Sequence, residues 1–148
     1  MPILRPKILF RILGLAVVTG AAVFVLRPGS VPLIPAAGQA GSVGGTVRHV
    51  ADGDTFFIRG VGPPIRIWGL DAPEWDRRGG EAATAALRRL IDGQNLTCRV
   101  RAIDKYERIV GQCFLPDGGD VTARMIAAGV AREYCYFSHN FYGTCGGN

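Results

Sequence analysis

The chain has 148 residues, of which 17 are Lys or Arg and 12 are Asp or Glu, for a formal net charge of +5. Four cations (Arg5, Lys7, Arg11, Arg27) and no acid fall in residues 1–40, which leaves 13 basic and 12 acidic side chains in residues 41–148. The remainder is nearly neutral, which excludes a polycationic DNA-coating protein and leaves phosphate binding to individually placed arginines.

Residues 12–26 run for 15 positions without a charge behind Arg5, Lys7 and Arg11. A basic segment followed by an apolar one is the pattern of a signal peptide or an uncleaved signal anchor, so residues 1–27 are expected to form an N-terminal hydrophobic helix. Either reading exports the C-terminal part of the chain, because positive charge stays on the cytoplasmic side. The expected place is the cell envelope, membrane-anchored and facing the periplasm or exterior, or secreted if the leader is cleaved. Residues 28–43 hold prolines and small residues without period or charge, and read as a flexible linker.

Thr46–Val50 and Thr55–Arg59 are strand-like runs around an Asp-Gly turn. Pro64–Leu70 alternates, with Ile65, Ile67 and Gly69 on one face and Arg66, Trp68 and Leu70 on the other, and Pro73 ends it. Glu81–Ile91 is alanine- and leucine-rich and stops before Gly93, as a helix does. Leu96–Ile103 and Arg108–Leu115 read as a hairpin about an Asp104–Glu107 turn. Asp120 caps a second helix, Val121–Ala128, stopped by Gly129. Five short strands with a helix between the third and fourth suit a small closed barrel.

The four cysteines agree with export. The hairpin register sets Cys98 opposite Cys113, close enough for a disulfide, and leaves Cys135 to pair with Cys145. With no Cys-x-x-Cys pair and only two histidines, a zinc site is not expected.

Asp54 and Asp71 fall at strand ends, where hard cations find carboxylates and carbonyls. Glu74 comes three residues after Asp71 and is placed to act on a water. Arg66 and Arg108 supply guanidinium forks that match phosphate oxygens. Singly, each has an ordinary structural alternative: a turn, a strand stop, an ion pair.

Together and in order, Val50-Ala-Asp-Gly-Asp-Thr55, Arg66-Ile-Trp-Gly-Leu-Asp-Ala-Pro-Glu74, Asp104-Lys-Tyr-Glu-Arg108 and Ala128-Gly-Val-Ala131 resemble the staphylococcal nuclease (thermonuclease) family over about residues 44–137, with a short tail at 138–148. The resemblance implies an α+β protein, a five-stranded OB-fold barrel with two helices. It implies a Ca²⁺-dependent endonuclease that cuts DNA and RNA with little base preference, favouring single strands and acting as a monomer. By the resemblance, Asp54, Asp71 and the Ala72 backbone carbonyl would hold Ca²⁺, and Glu74 would act on the attacking water. Arg66 and Arg108 would bind the phosphate, with Lys105 and Tyr106 near a terminal phosphate. The family pattern usually has Gly where Glu107 stands and often Thr where Ala72 stands. The tail aromatics are expected to cover the barrel. The alternative is an inactive OB-fold module that binds nucleic acid or protein.

Overall fold

Alternating apolar positions make the strands, and their inward residues make one core. The computed structural model describes residues 41–146; the leader at 1–27 and most of the linker lie outside the described residues. The elements are β1 (Ser42–Val50), β2 (Thr55–Ile58), β3 (Ile65–Ile67), β4 (Leu70–Asp71), α1 (Gly80–Ile91), β5 (Asn95–Ile103), β6 (Ile109–Phe114), α2 (Val121–Ala127), β7 (Arg132–Glu133) and α3 (Cys135–Ser138). Five strands close into a barrel in the order β1-β2-β3-β6-β5. β3 and β6 run parallel and the other barrel pairs antiparallel.

Val47, Val50, Phe56, Ile58, Ile65, Ile67, Leu87, Leu96 and Met125 are buried in the barrel and under its helices. Each such side chain contributes about 1.5–3 kcal/mol when removed from water. α1 is fixed at the barrel end by its buried stripe Ala83, Leu87 and Ile91, and Arg88 donates to the Val50 carbonyl at 3.2 Å. Among the described residues no helix is long and apolar enough to cross a membrane.

The structure departs from the sequence reading in four places. β1 takes in Ser42 and Val43 from the expected linker, because both pair with β5, opposite Arg99 and Cys98. The Pro64–Leu70 run is two strands, not one. Gly69 adopts φ 73°, which turns the chain and sends Leu70 into the core rather than to the outer face with Arg66. A side chain at Gly69 would also meet the Tyr142 ring, 2.9 Å away.

The hairpin turn closes on Arg108, whose carbonyl accepts from the Asp104 N–H at 3.0 Å. Ile103 then faces Ile109, and a register shift at Arg101 restores Cys98 opposite Cys113. Those two cysteines are joined, with Cα atoms 4.0 Å apart, and Cys135 is joined to Cys145.

Finally, a third helix, α3, runs across the expected boundary at residue 137, and the tail beyond it covers the barrel as expected of its aromatics. β7 pairs with β4, and Tyr142 packs on Trp68 with ring centroids 6.0 Å apart. The Tyr142 hydroxyl donates to Asp120 at 3.0 Å.

Candidate active site

The site grows from the Asp52–Gly53–Asp54 turn. The Asp52 carboxylate accepts the Asp54 N–H at 3.0 Å, an Asx turn that sets the loop. Gly53 lies against Ala72 and Ala83; a Cβ there would stand 2.8 Å from the Ala72 Cβ and 2.9 Å from the Ala83 Cβ. This close approach brings the Asp54 turn beside the Asp71–Ala72 strand end, 17 residues on in the chain.

β2 and β3 pair Thr55 with Arg66, and the Ile67 N–H donates to the Asp54 carbonyl at 2.8 Å. Arg66 thereby contacts the Asp54 carboxylate directly, and the Thr55 hydroxyl donates to it at 3.0 Å. Asp54 is 5% exposed. Burial pushes its carboxyl up to about 6; Arg66 pulls it down, and Asp52 adds to the rise.

Asp71, Ala72, Pro73 and Glu74 line one side of a cleft of about 400 Å³, and Gly129–Arg132 line the other. Arg132 contacts Asp71 at 3.0 Å, with the Arg132 side chain 85% exposed. Glu74 is exposed. Its backbone is held by Gly80: a Cβ on that residue would collide with the Glu74 carbonyl. The Arg77 N–H donates to the same carbonyl at 2.9 Å.

Arg108 is positioned by the parallel β3–β6 pair. Ile109 faces Ile65, so Arg108 stands next to the strand that carries Arg66. Its Nε donates to Asp104 at 2.7 Å and its N–H donates to the other Asp104 oxygen at 3.0 Å. Slight burial would raise the Asp104 carboxyl, but these donors and the Tyr106 N–H hold it below the usual range. The hydrogen bond through Nε leaves the outer Nη pair of Arg108 without a hydrogen-bond partner among the described residues. A fork held by its inner nitrogen can present the outer two to a phosphate.

The structure therefore joins Asp54 to Arg66 directly, gathers Asp71, Ala72 and Glu74 in one cleft, and sets Arg108 beside β3. Lys105 and Tyr106 are exposed on the turn and touch each other, with Lys105 Nζ 5.0 Å from the Tyr106 ring centroid; the Arg108 guanidinium lies 5.4 Å from that ring.

The donor set suits a hard divalent cation: two carboxylates and the Ala72 carbonyl, which accepts no backbone N–H among the described residues, all oxygen ligands. Asp54 and Asp71 each hold a guanidinium, from Arg66 and Arg132. Among the described residues one trio of potential ligand atoms lies within 4.8 Å: Glu133, Cys135 and Cys145. Its sulfurs are joined in a disulfide, so it is not a metal centre.

Sequence reasoning missed Arg132, whose contact with Asp71 depends on the β4–β7 pairing and leaves no local signal. It also missed the closeness of Gly53 and Gly80 to their neighbours, although Gly in a turn or at a helix start is where such approach is found.

Known proteins match this region. An Escherichia coli protein called an uncharacterized endonuclease is 36% identical over 92 residues, 61% of this chain and 60% of that one. The succinoglycan biosynthesis protein ExoI of Rhizobium meliloti (strain 1021) is 37% identical over 93 residues, 55% of this chain and 48% of its own. The probable staphylococcal-like nuclease CAN1 of Oryza sativa subsp. japonica is 37% identical over 70 residues, 47% of this chain and 21% of its own. The chain thus spans 60% or less of the length of these curated relatives. The family model described as staphylococcal nuclease homologue matches residues 64–144, which takes in Arg66, Asp71, Ala72, Glu74 and Arg108 and begins after Asp54. With that match over more than half of its residues, and with the five-stranded barrel beneath it, the chain belongs to the staphylococcal nuclease homologue family.

Proposed function

We propose that the protein is a Ca²⁺-dependent endonuclease that hydrolyses phosphodiester bonds in DNA and RNA. Two relatives are named as endonuclease or nuclease, which supports the reaction class. The observation that carries the reading is the Gly53–Ala72 contact. It sets the turn that carries Asp54, with Arg66 on its carboxylate, against the Ala72 end of the cleft that Asp71 and Glu74 line.

In this reading Asp54, Asp71 and the Ala72 carbonyl hold the ion. When bound, Ca²⁺ supplies positive charge that polarises the phosphate and orients a water. Arg66 leaves Asp54 for a phosphate oxygen, and the Nη pair of Arg108 takes another, so that charge developing at phosphorus meets two fixed guanidinium groups. Glu74, exposed on the cleft, accepts a proton from the attacking water. Lys105 and Tyr106 contact the strand beyond the cleaved bond. The basic, apolar leader and the paired cysteines support placement at the cell envelope.

The test is cleavage of single-stranded DNA by the full chain with Ca²⁺ and with a chelator. Degradation in the first condition alone supports the reading; tight binding without cleavage at every Ca²⁺ level would turn it toward an inactive OB-fold binding module.

A further inference from the structure

Outward positions on β3, β5 and β6 form a second surface continuous with Arg66. Arg66 faces Val110 and Ile67 faces Gly111 in the parallel pair. The Trp68 N–H extends that ladder to the Gly111 carbonyl at 2.8 Å. Trp68 therefore lies two residues beyond Arg66 on the same outer side, roughly 7 Å along the strand. The Arg101 guanidinium covers the Trp68 ring at 4.9 Å, and the Arg99 guanidinium covers the Phe114 ring at 5.2 Å. Phe141 meets Trp68 edge-on at 5.3 Å and is 59% exposed.

Neither Arg99 nor Arg101 has an acidic partner among the described residues. Arg101 donates to Gln112. Asp120, the acid on this face, is already engaged by Gln112 at 2.8 Å and Tyr142 at 3.0 Å. A guanidinium stacked on a ring turns its N–H edge outward, toward a phosphate. Aromatic rings interleaved with unpaired cations are what an unpaired nucleic-acid strand requires, since its bases stack and its backbone carries charge.

We infer that the Trp68–Arg101–Phe141 and Arg99–Phe114 pairs bind the stretch of single-stranded nucleic acid that flanks the cleaved linkage. This rests on the nuclease reading of the neighbouring cleft and gives it an extended substrate: strands that reach past Arg66 bind more tightly than dinucleotides. A duplex hides its base faces and gains only the phosphate contacts.

The test uses the full chain in chelator, so that binding is read without cleavage. Fluorescence anisotropy is followed with a labelled oligothymidylate of about twelve nucleotides and with a dinucleotide. The double variant Arg99→Ala/Arg101→Ala should bind the longer strand about tenfold more weakly and the dinucleotide unchanged. The dependence of log affinity on log salt should become shallower by about 0.7 for each arginine. Arg99→Ala alone removes no side-chain hydrogen bond among the described residues and should show part of the loss without a change in melting temperature. In a Trp75→Phe background Trp68 is the sole tryptophan, and the longer strand should quench its emission. Unchanged affinity in folded arginine variants, with Trp68 emission unmoved, would overturn the inference and leave this surface as a fastening for the tail. Strand binding through these residues without any cleavage would leave the inference standing while removing the nuclease reading.

Discussion

Asp54 and Glu133 are both buried carboxyl groups, 5% and 6% exposed, yet they stand in opposite electrostatic states. Burial pushes Asp54 up to about 6, since Arg66 and the Thr55 hydroxyl offset only part of the lost hydration. Burial raises Glu133 as well, but Ser138, the Tyr142 N–H and both donors of Thr144 hold it at about 2. The donors stand 2.6–3.0 Å from its two oxygens. The difference separates a carboxylate held by four neutral donors from one set against a single guanidinium and a hydroxyl. Glu133 ties the tail to β7 beside the Cys135–Cys145 bridge. Asp54, on the turn packed against Ala72, is the proposed cation ligand.

The largest expected effect breaks the site without touching the fastening. Arg108→Ala removes the guanidinium proposed to meet the phosphate and should lower turnover about 10²–10³-fold, with a fall in melting temperature no larger than the loss of its contact with Asp104 accounts for. A steady-state assay on single-stranded DNA beside a thermal melt checks both halves. Full activity in that variant would remove Arg108 from the mechanism.

Glu133→Gln does the reverse. Replacing charge-assisted hydrogen bonds should cost about 1.5–3 kcal/mol, read from urea unfolding at pH 7. Because Glu133 is depressed in the fold, its contribution is present above the ordinary value of 4.5 and fades as pH falls toward 2. The gap between wild type and variant should therefore close over that window; a gap that stays constant would assign the effect to shape rather than charge.

Gly53→Ala sharpens the comparison from the other side. The added methyl meets Ala72 and Ala83 at under 3 Å and must push the Asp54 turn away from Asp71. Ca²⁺ affinity by calorimetry should fall about tenfold or more, as a small displacement of a ligand does. Affinity in the native protein should also fall as pH drops through about 6, because the ligand carboxylate must be ionised.

The smallest effect concerns Glu107, which adopts φ 62°. A left-handed conformation costs an L-residue roughly 1–2 kcal/mol, and glycine gives back part of that gain through its freer unfolded chain. Glu107→Gly should therefore stabilise by about 0.5–1 kcal/mol in urea. The family's usual glycine at this position has a backbone reason in this chain, the positive φ that Glu107 adopts.

The barrel was legible because its signals are local: Ile65 and Ile67 alternate, the helix spanning Glu81–Ile91 has a strong apolar stripe, and Asp-Gly marks the first turn. The hairpin register was legible to within one residue, the slip at Arg101 being hidden because a bulge leaves no composition signature. Asp54, Arg66, Asp71, Glu74 and Arg108 could be named from their order along the chain. What held them could not. The Gly69 turn that sends Leu70 inward packs beneath Tyr142, 73 residues away, and Arg132 meets Asp71 only after β7 pairs with β4. Glu133 carried no signal in the sequence because its donors lie 5–11 residues on and meet it only in the folded tail.

The most direct measurement is Ca²⁺ titration of the full chain in parallel with its Asp54→Asn variant, and then single-stranded DNA cleavage at saturating ion. The account predicts binding and cleavage in the native protein, weakened binding and little cleavage in the variant, and no cleavage by either in chelator. Equal cleavage by Asp54→Asn, or cleavage by the native protein in chelator, would contradict it.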